Sequence, residues 1–403
     1  MEEIFNELKK SPLYNLSMSS LENFHTNFLV WLGNTYPKET LNLLNSMLFS
    51  EKPIELVEGI EFFSQENCGK NCKFDLCVKK DRQIILILEN KIKSYPTEEQ
   101  LKKYNKGIEH NKGNFSNDCK KILLTLFPCN LELEKLNWKS VKYSDFLNEN
   151  NPFMSNLQIP SYHEELIKDY FNLIKNLDII ITEYDKNITH TKYDMYDISK
   201  KFKAINFKNI YIKYRTFELM NFIKKYVIEE KRIDTIDIKF STDFSNSNEG
   251  VINIEKKYII EETKTNNKKD NYDFILSIQI QGSQYRYCLV CLDDKQENNK
   301  KRFDFAESLK EKKYWFNDTE NKYNSRKNNP YQDFFKGNQY LSYKPDRIYQ
   351  YKKIESFESN TNNLADVTYE SISEQVSKDI QTLNNKEEKI IACYKQILSQ
   401  KNS

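Results

Sequence analysis

Phe74-Asp-Leu-Cys-Val78, the polar link Lys79-Lys-Asp-Arg-Gln83 and Ile84-Ile-Leu-Ile-Leu-Glu-Asn-Lys-Ile92 read together as a strand hairpin whose second strand is buried on both faces. A buried strand does not carry charge without a reason. This one ends in Glu89-Asn90-Lys91, and its partner holds Asp75 among apolar neighbours. Side chains alternate along a strand, so Glu89 and Lys91 project to one side and Asn90 to the other. If Asp75 faces them across the hairpin, two carboxylates and an ammonium meet at one point. Carboxylates so placed repel unless a cation lies between them, and hard oxygen donors with room for water suit Mg2+. A lysine beside such an ion can orient or deprotonate a water, and the ion stabilises charge developing on a phosphate. The bland alternative is an ion pair at the end of a strand, with Asp75 a charge that protects a sheet edge.

With 403 residues, two domains are expected, each with enough chain for its own core. The formal charge is only +2, from 61 basic and 59 acidic residues, so a nucleic-acid partner requires a local basic surface. Cys68 and Cys72, and Cys288 and Cys291, lack a second pair at zinc-finger spacing, so all eight cysteines are read as isolated thiols in a reducing compartment. The chain opens without a basic and apolar leader, and no apolar run approaches a membrane span. A cytoplasmic protein is expected. No Gly-rich phosphate loop is present, which argues against ATP-driven translocation.

Ser19-Ser-Leu-Glu22 has the form of a capping box, predicting a helix with Leu21, Phe24, Phe28, Trp31 and Leu32 at helical spacing. Glu22 and His25 lie one turn apart on it; in the bland reading Glu22 closes the cap and His25 is a half-buried imidazole. A second helix near Lys38 to Leu48 precedes a first strand expected over Ile54 to Phe63, then the hairpin. Thr97-Glu-Glu-Gln100 is a second capping box, opening a helix with Gln100, Tyr104 and Ile108 on one stripe. Lys120 to Phe127 reads as a further buried strand, and Tyr162 to Leu177 as a helix. The order helix, three strands, helix, strand describes an α/β layered core.

These residues together resemble the PD-(D/E)XK nuclease superfamily, and in particular a bacterial stand-alone branch with Glu-x-x-His-[Ser/Thr]-x-Phe-Leu on its first helix, here Glu22-Asn-Phe-His-Thr-Asn-Phe-Leu29. Asp75 and Glu89-Asn90-Lys91 match the Asp and the Glu-x-Lys; Gln100-Leu-Lys-Lys-Tyr104 matches the Gln-x-x-x-Tyr, and Trp138 to Tyr143 the Trp-Lys segment that follows. Phe74 stands where the superfamily name implies Pro. The resemblance covers about residues 1–180. It implies a restriction-endonuclease-like core (α-β-β-β-α-β), with Asp75, Glu89, Lys91 and Glu22 catalytic. The metal, Mg2+ or Mn2+ in its place, would be held by Asp75, Glu89, the Asn90 carbonyl and Glu22. Gln100 and Tyr104 would lie beside the substrate phosphate, with His25 ranked lower, as a residue that touches substrate or supports those that do. It further implies hydrolysis of DNA phosphodiester bonds by a metal-activated water, a role in phage defence or restriction, and a homodimer where both strands are cut. The reading from another class is a catalytically silent nucleic-acid-binding or assembly protein on the same scaffold; a third is a structural protein in which the charges form a salt-bridge network.

The predicted division is a nuclease core at 1–181, a polar linker at 182–200 and an α+β substrate-recognition or accessory domain at 201–403. In the last, helical spacing near Phe217 to Ile223 is followed by strand-like runs at 234–240, 251–260, 272–281 and 284–292, a mostly antiparallel sheet. Residues 314–354 carry eleven aromatics among Lys and Arg, which suits either base stacking or half-buried strands. Asn363 to Leu383 is an amphipathic helix expected to pack on this domain.

Overall fold

A computed structural model of the chain describes residues 2–48, 53–55, 58–69, 72–92, 94, 96–127, 129, 131, 133–147, 151–153, 160–187, 200–245, 249–263, 269–291, 299–316, 341–344, 347–354 and 367–399. The chain divides into two compact units, Met1–Thr189 with Lys200–Tyr214, and His190–Ser199 with Arg215–Ser403.

The first unit opens with α1 (Glu2–Lys10), α2 (Pro12–Thr35) and α3 (Pro37–Leu48). Helix α2 starts eight residues before the predicted cap. Ser11 accepts from the Tyr14 amide and Pro12 holds the first helical position, a combination that fixes a helix start more firmly than Ser19, which lies inside the helix. Strand β1 (Glu61–Gly69) begins later than expected because a turn at Gly59, with φ of 83°, precedes it. Helix α2 is locked to β1 at two adjacent positions. The Asn34 amide both donates to the Phe62 carbonyl (2.9 Å) and accepts from the Phe62 N–H (3.0 Å). At Gly33 a Cβ would meet the Phe62 ring at 2.2 Å, so the absence of a side chain lets helix and strand close up.

Strands β2 (Cys72–Lys80) and β3 (Gln83–Lys91) form the predicted hairpin, turned by Asp81 and Arg82, both with left-handed backbone as a tight hairpin requires. Helix α4 (Glu98–His110) crosses to β4 (Phe115–Thr125), and β5 (Lys139–Lys142) follows. The sheet order is β1-β2-β3-β4-β5: the first three strands are antiparallel, and β3, β4 and β5 run parallel. A parallel pair needs a crossover, and α4 supplies it. Asn105 fastens α4 to the far strands: its Oδ1 accepts from Lys121 Nζ (2.9 Å) and Trp138 Nε1 (3.0 Å). The core beneath α4 joins Phe74, Cys77, Ile87, Leu101, Tyr104 and Trp138. Helix α5 (Ser161–Asn187) runs ten residues past its predicted end, so 182–187 is helix rather than linker; 188–199 lie outside the described residues.

The second unit holds a six-stranded sheet in the order β10-β11-β9-β8-β7-β6, antiparallel throughout. The chain passes between the units at Thr189/His190 and Ser199/Lys200, within the expected 182–200, and again at Tyr214/Arg215 inside α6 (Lys208–Lys225). The strands are β6 (Ile238–Phe244), β7 (Gly250–Thr263), β8 (Lys269–Gln281), β9 (Gln284–Cys291), β10 (Leu341–Lys344) and β11 (Arg347–Lys353). Helices α7 (Asn299–Glu311), α8 (Tyr369–Asn385) and α9 (Glu387–Ser399) cover one face. Phe274 of β8 meets the rings of Phe305 (5.0 Å) and Tyr394 (4.7 Å), while Tyr285 and Tyr287 both donate to Asp379 of α8. The described part of the stretch expected at Asn363 to Leu383, within α8, thus packs on this unit, and a second helix, α9, follows it; residues 363–366 lie outside the described residues. Much of the aromatic-rich segment at 314–354, including Tyr331 to Gly337, lies outside the described residues. Cys77, Cys119, Cys129, Cys288, Cys291 and Cys393 are free thiols.

Candidate active site

The regular ladder between β2 and β3 ends at Leu76↔Leu88. Continuing that register sets Asp75 opposite Glu89, so the two side chains start from the same face of the sheet. Asp75 Oδ2 accepts from the Asn90 amide at 2.8 Å.

Glu89 is 1% exposed and Lys91 8% exposed, and Lys91 Nζ lies 2.8 Å from Glu89 Oε1. The same oxygen accepts from Gln100 Nε2 (2.8 Å) and Tyr104 OH (3.0 Å) on α4. Glu89 Oε2 is buried with no hydrogen-bond partner. Burial, and then the neighbouring Asp75 charge, push the Glu89 carboxyl up to about 7, against the pull of Lys91. Asp75 is raised as well, by burial first; the Asn90 amide and Lys91 oppose it. Burial disfavours the Lys91 ammonium, yet Glu89, Glu22 and Asp75 together hold its pKa above the ordinary value. Lys91 is therefore a positioned cation at neutral pH. The two acids require a proton or a bound cation to coexist.

Asn90 points to the other side of β3 and fastens the strand to its surroundings. Its Nδ2 donates to the Glu22 carbonyl (3.0 Å) and to Thr26 Oγ1 (3.2 Å) on α2, and its Oδ1 accepts from Tyr143 OH (2.7 Å). This makes Asn90 a fully satisfied buried amide linking strand, first helix and the turn after β5. The sequence offered no signal for that role, because Asn90 was legible only as a carbonyl beside the metal.

Three groups of expected site residues have contacts that the sequence did not indicate. Glu22 does not join a third carboxylate to the pair: its Oε1 accepts from Ser94 Oγ (2.6 Å) and from the Ser94 amide (3.2 Å). Among the described residues, no group of three or more His, Cys, Asp or Glu side chains is gathered tightly enough to hold a metal ion. Ser94 was missed, its one signal being that it follows Lys91 by three residues. Gln100 and Tyr104 bind the Glu89 carboxylate and orient it, rather than standing free for a substrate phosphate, although Thr97 does cap α4 as predicted (3.2 Å). His25 is completely buried, bonded through Nδ1 to Tyr170 OH (3.1 Å) and edge-on to Tyr143, and burial lowers its pKa to about 3. A neutral imidazole inside the core suits the supporting role, against Tyr143 that bonds Asn90, rather than direct contact with substrate.

The donor set fits a divalent metal. Asp75 and Glu89 supply hard oxygens, the orphaned Glu89 Oε2 lacks any other partner, and Mg2+ completes its shell with water when only one or two carboxylates are available. Lys91 beside them complements a phosphate. A mixed five-stranded sheet with this acid-lysine cluster on its second and third strands defines the class of metal-dependent nucleases.

Comparison of the sequence with family models places it within that class. Residues 13–210 match the family model of the PD-(D/E)XK nuclease superfamily. Searches among curated proteins and among solved structures found no match. Among the described residues no helix is long and apolar enough to cross a membrane.

Proposed function

We propose that the chain is a Mg2+-dependent nuclease hydrolysing DNA, with Asp75 and Glu89 as metal ligands and Lys91 as the group that positions the attacking water. The observation that carries this reading is the buried Glu89 carboxylate, one oxygen held by three donors and the other left without a partner beside Asp75. Buried polar atoms are ordinarily satisfied, and an acid pair left open in this way is suited to a cation. When bound, Mg2+ supplies Lewis-acid stabilisation of charge on the phosphate and a more acidic water. Lys91 holds its proton, faces the same side as Glu89, and is suited to orient a water and offset charge developing on phosphate oxygens. Gln100 and Tyr104 fix the Glu89 rotamer, which preserves ligand geometry through turnover. Glu22, through Ser94, holds the chain segment after β3 and adds negative potential at Lys91.

The second unit, with its separate antiparallel sheet, is assigned to substrate selection. Restriction or phage defence in the cytoplasm, and pairing of two copies for double-strand cuts, follow from the family analogy. The test is incubation of the purified protein with supercoiled, linear and single-stranded DNA, and with RNA, in Mg2+, Mn2+ or EDTA. Metal-dependent nicking or degradation, abolished in Asp75→Asn and Lys91→Ala, is expected. DNA binding that persists in EDTA without any cleavage would favour a silent scaffold instead.

A further inference from the structure

Gln65 is strained, exposed and adjacent to the site. Among the described residues, the other non-glycine positions with left-handed backbone all lie outside strands: Asp81, Arg82, Asn137, Asn206, Arg232, Lys313 and Phe316. Gln65 alone lies inside a strand, β1, with φ of 59°. The flanking pairs Ser64↔Leu76 and Glu66↔Phe74 place it directly across from Asp75. A left-handed glutamine is disfavoured relative to glycine, and no packing explains it, because the residue is exposed. Strain kept at a functional site points to use of what is held there.

The side chain reaches toward α2. Gln65 Nε2 lies 3.4 Å from Asn23 Oδ1, a long and weak contact, and Asn23 is itself exposed and adjacent to Glu22. Both amides thus keep donors and acceptors free at the rim of the cluster. The residue type suits the place. A lysine or arginine here would be drawn to Glu22 or Asp75, and a carboxylate would compete for the cation. An uncharged amide does neither, and it offers a donor to a phosphate oxygen and a donor-acceptor pair to a base edge.

We propose that Gln65 and Asn23 form an amide pair that hydrogen-bonds the nucleic-acid strand beside the phosphate at Asp75 and Glu89. This rests on the nuclease reading of the site.

The informative variant is Gln65→Gly, which deletes the side chain while accepting the backbone conformation. It should fold and melt no lower than wild type. Its kcat/KM on a short DNA duplex should fall about tenfold through a higher KM, the scale of one lost hydrogen-bonding group. The Mn2+ concentration giving half-maximal rate should stay the same, and affinity for the duplex in Ca2+, measured by anisotropy, should weaken in parallel. Asn23→Ala should shift the same two quantities. Wild-type KM in the glycine variant, or a change confined to the metal midpoint, overturns the substrate contact while leaving the nuclease reading intact. A wild-type protein that binds DNA without cutting still carries the inference through the anisotropy arm. One that neither binds nor cuts any nucleic acid overturns both.

Discussion

The backbone amide of Asn90 donates to Asp75 Oδ2 at 2.8 Å, so a side-chain carboxylate closes the β2–β3 ladder just past its last regular pair, Leu76↔Leu88. The acid proposed as a metal ligand is also the acceptor for a buried strand end. A structural role and the proposed catalytic one thus fall on one side chain, and substitution can separate them.

Asp75→Ala leaves the Asn90 amide without its acceptor and should lower stability by roughly 1–3 kcal/mol. Asp75→Asn retains an acceptor oxygen and should unfold in urea close to wild type. Both should lose metal-dependent cleavage. An asparagine variant that still cuts at the wild-type rate would remove Asp75 from the ligand set.

Lys91→Ala should reduce cleavage by roughly a hundredfold or more, the range expected when a positioned proton-transfer or charge-stabilising group is deleted. DNA binding should persist, because Lys91 is mostly buried and already paired with Glu89. The check is single-turnover cleavage alongside binding in Ca2+, and a rate within threefold of wild type would show Lys91 to be only a partner for Glu89.

Tyr104→Phe deletes one of the three donors to Glu89 Oε1. Groups that orient a metal ligand typically change metal affinity or activity about tenfold to a hundredfold. The Mn2+ concentration at half-maximal rate should therefore rise while substrate KM stays fixed. The reverse outcome, a raised KM at an unchanged metal midpoint, would restore Tyr104 to the substrate.

Acidification should expose the burial of His25. Its folded pKa, about 3, lies below the ordinary 6.5, so between these values the unfolded chain takes up a proton that the folded chain refuses. The neutral imidazole's contribution is thus fully present above about pH 6.5 and is lost as pH falls toward 3. It amounts to about 2 kcal/mol between pH 7 and pH 5. Glu89, whose carboxyl is raised, contributes with the opposite sign in both proteins being compared, so the difference between wild type and His25→Phe isolates the imidazole. Parallel urea midpoints for the two proteins from pH 7 to pH 5 would be inconsistent with a buried neutral His25.

The helix boundaries show where local pattern fails. Ser19-x-x-Glu22 has the form of a cap, yet the helix starts at Ser11-Pro12, because a proline that cannot continue a ladder is tolerated at the first helical position and a serine before it satisfies the exposed amides. Thr97 reads correctly as a cap because Tyr95-Pro96 breaks the chain just before it. Glu22, His25, Gln100 and Tyr104 were placed on the right helices but given the wrong neighbours. A helix's rotation about its axis is set by what it packs against, which short motifs do not encode.

The sequence by itself determined the hairpin, the common side of Glu89 and Lys91, and the α-β-β-β-α-β order, because these depend on two-residue alternation and on local breakers. Only the tertiary structure decided that Asp75 accepts from the Asn90 amide, that α4 brings Gln100 and Tyr104 onto Glu89, that Ser94 binds Glu22, and that His25 is sealed within the core. Each of those contacts joins residues from different elements, and their geometry follows from how the helices settle on the sheet as apolar surface is buried.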